Sequence, residues 1–377
     1  MRPIVVVLGI TLLVAAAVFV PCLLQAGEVT TTPGYSLLSP IRSGNLTVFP
    51  VVAIKSYDTA EFLTLDEGLR SGDVVVTEAG QAQGLIRHRQ GEPSNPQPVR
   101  GAQVNNLVLV NNSKRPLLLL AGEIVTGGKQ DRVIGKDRIV PAESDPVDLS
   151  VFCVEPGRWV AANGKAQFTL AGGGAGGGVL AAPGVRASAM VAKNQQQVWD
   201  NVGKSKQAMT AALEATPSPQ AARAAEAVNS TTSYARVMDN KEVQQKVDSV
   251  AEPVQRNYES VIRQLRDKNA VGVVVAVNGE IVWADIFAST QLLQKYWPKL
   301  VRSYATEAVV TRAKNAEASQ KDAQKFLDDL DGRHETAEIE PGLYRQSEIT
   351  GDGFKVFELR ALLPKTGFAV HVAKMSN

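Results

Sequence analysis

Polar side chains follow directly after one of the most apolar runs in the chain. Residues 117–120 are four consecutive leucines, and Glu123 stands three residues later. Glycines at 127 and 128 then lead into four polar or charged residues, Lys129, Gln130, Asp131 and Arg132. A buried strand delivers a polar side chain to a site only at its end, and glycines allow a tight backbone path there. This mixture of carboxylate, amide, ammonium and guanidinium groups suits an anionic, hydroxyl-rich ligand.

A second polar group contains Cys153, Glu155 and Arg158. In an extended strand, alternation places Cys153 and Glu155 on the same face. Either Glu123 or Glu155 is then the candidate catalytic acid or base, and Arg132 and Arg158 are the candidates for holding an anionic group. The predicted ligand-binding set is Lys129, Gln130, Arg132, Arg158 and Asp285.

These assignments have structural alternatives. The glutamates and arginines could instead form an internal salt-bridge network that holds two hairpins together, because ion-pair networks are commonly structural. Asp285 either reaches the Glu123 cluster or caps a helix that begins near Ser289. Cys153 has no histidine close in sequence to act as its base, which favours a packed, free cysteine.

Residues 171–178 are almost entirely glycine and therefore contain the pattern G-x-G-x-x-G without any selectivity. Pro183 stands where the helix of a phosphate-binding motif would make its first turns. We therefore interpret residues 171–184 as a glycine-rich loop whose residues 171–178 are solvent-exposed and dispensable, rather than as a phosphate cradle.

The elements that must position these residues are strands at both ends of the chain and helices between them. The runs at 107–110 and 117–120 are predicted to form a hairpin, and helices are predicted over 190–213, 219–238 and 241–267. Asn278 and Gly279 mark a second hairpin turn, because both tolerate positive φ. The fold class is α+β, with strand-rich N- and C-terminal parts forming one layered core. We expect a single domain over 27–377 with a helical insertion at 190–267.

The first 26 residues have the layout of a secretory signal peptide. Arg2 supplies the positive start, residues 4–24 carry no charge, and Ala26 offers a small residue before Gly27. The uncharged run is long for a signal peptide and is alternatively a retained membrane anchor. We therefore expect an exported protein, periplasmic or secreted, whose membrane contact is limited to this segment if it is not cleaved.

Composition and charge exclude several classes of function. The 377 residues carry a formal net charge of +2 with basic and acidic residues interspersed, which is not the footprint of a nucleic-acid-binding protein. His88, His334 and His371 are far apart in sequence, so no metal site is predicted. Only Cys153 remains beyond the first 26 residues, so no intramolecular disulfide can form. The sequence assigns no cofactor.

The polar motifs of the chain resemble those of the ARG and Rhodanese-Phosphatase-superfamily-associated (ARPP) domain family. The matching motifs are Gly122-Glu123, Gly128-Lys129-Gln130, Arg132, Cys153-x-Glu155-x-x-Arg158-Trp159, Leu65-Asp66-Glu67, Asn278-Gly279, Asp285-x-Phe287 and Tyr296-Trp297. The family name reflects genomic association with ADP-ribosylglycohydrolase-type and rhodanese-phosphatase proteins. The resemblance therefore implies a place in NAD or ADP-ribose metabolism, as an association and not as a mechanism.

Two functions of different class follow from this reading. In the first, the chain is a ligand-binding or enzymatic ARPP-like domain that uses the residues named above. In the second, it is a non-catalytic envelope interaction module, and the inserted helices present the surface for its partner. The first requires the polar side chains to converge on an open pocket, whereas the second has them pair with one another inside the protein.

We predict that the mature chain begins near Gly27, because the residues before it have the charge pattern and the small cleavage-site residue of a signal peptide. Amino-terminal sequencing of protein recovered from cell fractions checks this. A soluble cytosolic form that retains Met1 would contradict it.

Overall fold

The computed structural model describes residues 34–79, 81, 106–158, 167–172 and 177–377. The predicted signal segment lies outside these residues, as do residues 173–176 of the glycine-rich segment. Within the described residues, no helix is long and apolar enough to cross a membrane.

The N-terminal part of the described chain consists of short strands and one helix. In chain order these elements are β1 (Ser36–Leu37), β2 (Ile41–Ser43), β3 (Leu46–Ala53), β4 (Leu63–Thr64), α1 (Leu65–Ser71), β5 (Val74–Glu78), β6 (Asn106–Asn111), β7 (Leu117–Leu119), β8 (Ile124–Gly127), β9 (Arg132–Ile134), β10 (Arg138–Val140), β11 (Val147–Cys153) and β12 (Gln167–Leu170). Thr64 caps α1 by accepting the N–H of Glu67, whose carboxylate accepts the N–H of Thr64 in return. This reciprocal pair fixes where α1 begins.

Six of these strands close into an antiparallel barrel in the order β11-β6-β5-β12-β8-β9, and β10, β7 and β4 form a separate three-stranded sheet. The predicted hairpin of residues 107–110 with 117–120 is therefore wrong. Strand β6 pairs with β5 and β11, whereas β7 pairs with β10 and β4. Both strands are apolar on both faces, so their periodicity carries no information about which neighbour each one pairs with.

Helices replace strands over residues 183–264. They are α2 (Pro183–Ala187), a π-helical turn (Ser188–Ala192), α3 (Gln195–Glu214), α4 (Pro219–Ser230), α5 (Tyr234–Asp239) and α6 (Lys241–Gln264). Ser218 caps α4, and Pro219 occupies its first turn, where a missing N–H costs nothing. The helix predicted over 219–238 is divided in two, because residues 231–233 leave the helical path and Ser233 caps α5.

The C-terminal part returns to strands around two further helices. These elements are β13 (Asn269–Val277), β14 (Glu280–Phe287), α7 (Thr290–Val310), α8 (Gln320–Asp328), β15 (Gly332–Glu340), β16 (Tyr344–Gly351), β17 (Phe354–Ala361) and β18 (Ala369–Ser376). The predicted turn between β13 and β14 is confirmed, with φ of +52° at Asn278 and +80° at Gly279.

A nine-stranded antiparallel sheet joins the two ends of the chain in the order β1-β3-β13-β14-β18-β17-β16-β15, with β2 also paired to β3. One face of β13 packs with α7 in the largest apolar core, which also contains residues of the helical block. The other face packs with Ala323 and Leu327 of α8. A strand that is covered on both faces reads as a continuous apolar run, as β13 does. The fold is α+β, as the sequence predicts.

Candidate functional site

Glu123 lies in a tight turn between β7 and β8. Gly122 has a φ of +95°, and a Cβ atom there would lie 2.4 Å from the side chain of Arg186, so only glycine suits this position. The Glu123 carboxylate accepts the N–H of Leu120 at 2.7 Å, and Glu123 is 2% exposed. The turn therefore directs the carboxylate into the protein and not towards solvent.

Lys299 on α7 is the charged partner of Glu123. Its ammonium lies 2.5 Å from Oε1 of Glu123 and 2.9 Å from Oδ1 of Asp66. The second oxygen of Asp66 accepts the N–H of Gly178 at 2.8 Å. The salt-bridge alternative raised by the sequence gave the glutamates arginine partners, but in the structure the partner of Glu123 is a lysine from a distant helix.

The protonation states of this trio follow from burial and charge. Burial raises the pKa of Glu123; Lys299 opposes the rise, and the charge of Asp66 adds to it. Burial acts in the same direction on Asp66, but Lys299, the N–H of Gly178 and Arg70 outweigh it and lower the pKa of that carboxyl. Burial disfavours the Lys299 ammonium, yet the two carboxylates raise its pKa. Lys299 and Asp66 are thus the stable ion pair, and Glu123 is the carboxylate of the trio that first takes up a proton on acidification.

Lys299 also lines a cavity of about 210 Å³. Gly177 and Gly178 form part of its wall, and α6 and α7 contribute the Asp248–Arg302 ion pair. A Cβ atom at Gly177 would lie 2.7 Å from Asp66, and one at Gly178 would lie 2.9 Å from it. The Asp66 carboxylate leaves no room for a side chain at either position. These two residues are therefore not part of an exposed, dispensable loop.

Glu155 and Arg158 form a second cluster with the segment that follows Gly128. Arg158 lies 2.6 Å from the Glu155 carboxylate and donates to the carbonyl of Gly128 at 3.1 Å. Glu155 also accepts the N–H of Asp131 at 3.1 Å, and its carbonyl accepts the Gln130 amide at 3.1 Å. The structure thus brings Glu155 and Arg158 together with residues 128–131 in an internally hydrogen-bonded cluster, and Glu123 lies outside this cluster.

The remaining residues of this region are held in different ways. Lys129 is half-buried, and its backbone N–H donates to the Glu78 carboxylate at 2.7 Å. Arg132 is wholly buried; burial lowers its pKa, and the negative charges of Glu78 and Asp131 oppose this. Cys153 is a free, buried cysteine whose pKa burial raises. This agrees with a packing role for the thiol.

Asp285 belongs to a third cluster, which is fully buried. Arg186 binds both of its oxygens, at 2.9 and 3.1 Å, and Tyr304 donates a hydrogen bond to it. Nε2 of His371 lies 3.1 Å from Asp285, and Nδ1 lies 2.6 Å from Asp137. Asp285 therefore neither joins the Glu123 cluster nor caps a helix.

The helix-capping alternative for Asp285 fails because Ser289 caps α7 itself, accepting the N–H of Leu292 at 3.0 Å. The third cluster nevertheless touches the Glu123 turn through the backbone. Ala121 donates its N–H to Asp137 at 2.8 Å, and its carbonyl accepts Nε of Arg186 at 3.2 Å.

The seven predicted site residues are thus distributed over three places. Glu123 is in the first cluster, Asp285 is in the third, and the remaining five lie in or beside the second. The partners that hold Glu123 and Asp285 are not among the predicted site residues; they are Asp66, Lys299, Asp137, Arg186, Tyr304 and His371. The burial of Lys299 could have been predicted, because its spacing places it on the same face of α7 as Leu292, Tyr296 and Ser303, which are buried. Among the described residues, no group of three or more His, Cys, Asp or Glu side chains could hold a metal ion.

The geometry defines an α+β domain in which a strand barrel, a nine-stranded sheet and a helical block meet at buried ion clusters. The family model of the ARG and Rhodanese-Phosphatase-superfamily-associated Protein domain matches residues 34–375, and the chain belongs to this family. The resemblance seen in the sequence is confirmed. No curated protein and no solved structure matches the chain.

We predict that Glu123→Gln lowers the free energy of unfolding by about 3 kcal/mol, because the buried Lys299 ammonium then keeps Asp66 as its one carboxylate partner among these residues. The measurement is chemical denaturation. The control is Glu252→Gln: Glu252 pairs with Arg256 at 61% side-chain exposure, and this change should cost less than about 1 kcal/mol. Equal small losses in the two variants would show that water reaches Glu123.

A second prediction concerns His371. Burial acts to lower its pKa, but Asp137 and Asp285 outweigh burial and raise it from 6.5 to about 9. A raised pKa stabilises the fold fully below pH 6.5, and this contribution is lost as the pH rises through 9. Relative to His371→Gln, the wild type should lose about 3 kcal/mol of unfolding free energy between pH 6 and pH 10.

Chemical denaturation over this pH range measures the difference. The exposed His334 provides the matched control, since His334→Gln should follow the wild-type profile. Parallel profiles for the wild type and His371→Gln would show that His371 carries no extra charge in the folded protein.

Proposed function

We propose that the protein is an exported ARPP-domain protein that binds a small, hydroxyl-rich anionic molecule in the cavity beside Lys299. The observation that carries the proposal is that Lys299, whose ammonium is fixed by Glu123 and Asp66, lines this cavity together with Arg302. An ammonium has three N–H donors, and Glu123 and Asp66 accept two of them. We propose that Lys299 and Arg302, the latter also paired with Asp248, supply the cationic groups for a ligand there.

The size of the cavity restricts the ligand. Pockets for drug-sized molecules enclose about 300–1,000 Å³, and this cavity encloses about 210 Å³. A single sugar or sugar phosphate suits this volume better than a whole dinucleotide. The family's implied association with ADP-ribose metabolism makes the ribose phosphate portion of such a compound the favoured ligand.

The geometry favours binding over catalysis by the two predicted glutamates. A general acid or base must come within about 3 Å of the proton that it transfers, and Glu123 and Glu155 are 2% and 3% exposed. We propose that Glu123 acts through Lys299 by fixing the position of its ammonium. Glu155 and Arg158 fix the path of the segment over residues 128–131.

The rival function is a non-catalytic envelope interaction module. It is favoured by the internal pairing of Arg158 with Glu155 and of Arg186 with Asp285. An interaction module requires the polar side chains to pair with one another inside the protein, as these do. The cavity beside Lys299 is the observation that favours the ligand-binding function instead.

We predict that the wild type binds ribose 5-phosphate in isothermal titration calorimetry and that Arg302→Gln binds it at least tenfold more weakly. Loss of one charge-assisted hydrogen bond costs about 1.5–3 kcal/mol, which corresponds to that factor or more. Arg302 is the better target than Lys299 because its side chain is 33% exposed, and water can solvate Asp248 after the change.

Arg256→Gln is the matched control, since it removes another arginine from a helical ion pair outside the cavity. Gly178→Ala should also weaken binding by displacing Asp66, whereas Gly203→Ala should not, because a Cβ there meets nothing within 4 Å. Failure of the wild type to bind ribose 5-phosphate, or unchanged binding by Arg302→Gln, would favour the interaction module.

A further inference from the structure

A second and larger cavity lies on the opposite face of the nine-stranded sheet from α7. It encloses about 530 Å³, and its floor is formed by Val271, Ile286, Val372 and Val356 from four neighbouring strands. These residues belong to the apolar core that α8 covers in part. The helix has nine residues and does not reach across the whole face, so part of the apolar surface remains open.

The walls of this cavity are held in place by specific contacts. On one side, Lys374 donates to the carbonyls of Phe326 and Asp329 at the end of α8, and its ammonium lies 3.8 Å from the Phe354 ring centroid. On the other side, the rings of Tyr57 and Phe368 stack at 4.4 Å. Lys374 anchors the C-terminal end of α8, so the helix cannot slide over the opening without breaking both hydrogen bonds.

The charges around the cavity are predominantly positive. Lys55, Arg360 and Lys374 line it together with one carboxylate, that of Glu358, which Arg360 contacts at 2.9 Å. Within the described residues Lys55 is exposed and forms no ion pair; its ammonium lies 4.8 Å from the ring of Tyr57. One cation at the opening is thus available to an anion from solvent.

The opening also carries exposed apolar surface. Ile54 lines the cavity next to Lys55 and is 77% exposed, one of two large apolar side chains so exposed among the described residues. An apolar floor, an exposed isoleucine and an ammonium at the opening match a molecule that is apolar at one end and anionic at the other.

We propose that this cavity binds an amphipathic carboxylate, with its apolar chain or ring on the floor of the sheet and its carboxylate at Lys55. The volume lies within the range of about 300–1,000 Å³ that is typical of small-molecule pockets. The site is separate from the cavity beside Lys299: one is lined by strands of the sheet and by α8, the other by residues 177–180, α6 and α7, and the two share no lining residue.

Isothermal titration calorimetry of the full chain with sodium decanoate, 1-decanol and decyltrimethylammonium tests the proposal. The expected order of affinity is decanoate first, decanol second and the cationic amphiphile last. Lys55→Glu should weaken decanoate binding at least fivefold and leave decanol binding unchanged. Lys204→Glu is the matched control, because it makes the same change of charge on an exposed position of α3.

Ala369→Phe tests the location independently, since this half-buried residue lines the cavity and a phenyl ring there would fill part of it. It should abolish binding of both decanoate and decanol. Absence of decanoate binding, equal effects of Lys55→Glu and Lys204→Glu, or unchanged binding by Ala369→Phe would each overturn the proposal. A wild-type dimer that Ala369→Phe dissociates would instead assign the surface to a second copy of the chain.

Discussion

The structure depends on the neutralisation of charges that its elements bring into the core. The Asp285 carboxylate, for example, forms hydrogen bonds with Arg186, His371 and Tyr304. All four side chains are almost completely buried. An isolated buried carboxylate would be too costly to remain ionised. Here Arg186 and His371 outweigh burial and lower the pKa of Asp285. The carboxylate therefore holds the surrounding elements in one arrangement, because displacing any of its partners exposes an uncompensated charge.

The partners of this network come from every major part of the chain. Asp137 lies between two N-terminal strands, Arg186 begins the helical block, Tyr304 lies on α7, and His371 lies on β18 beside β14. A slip of one residue between β14 and β18 would turn Asp285 to the other face of the sheet. Replacing such a network with apolar residues often leaves stability unchanged or raises it. We therefore regard its role as specifying how the barrel, the sheet and the helices meet.

Local signals in the sequence predicted most helices and strands, but they did not predict which distant elements contact one another. The predicted turn at Asn278-Gly279 depends on neighbouring residues and is present. The caps of α1 at Thr64 and of α7 at Ser289 depend on equally local contacts. Closure of the barrel depends on pairings between strands that are apolar on both faces, so no periodicity distinguished the partners of β6 and β7. The partners of Asp285 are separated from it in sequence by between 19 and 99 residues. Rules based on residue spacing within one helix or strand do not predict contacts over such sequence separations.

The turn at Glu123 shows why the polar motif after the leucine run is ambiguous in sequence. Its backbone is held on one side by Asp137 and Arg186, and its carboxylate is held on the other side by Lys299. The same residues therefore satisfy the requirements of a fold-determining cluster and include Lys299, which also lines a cavity. Ion pairing with Glu123 and Asp66 holds Lys299 rigidly in place, and a binding site also needs its cation to be held rigidly. The sequence motif alone therefore does not distinguish a structural role from a functional one.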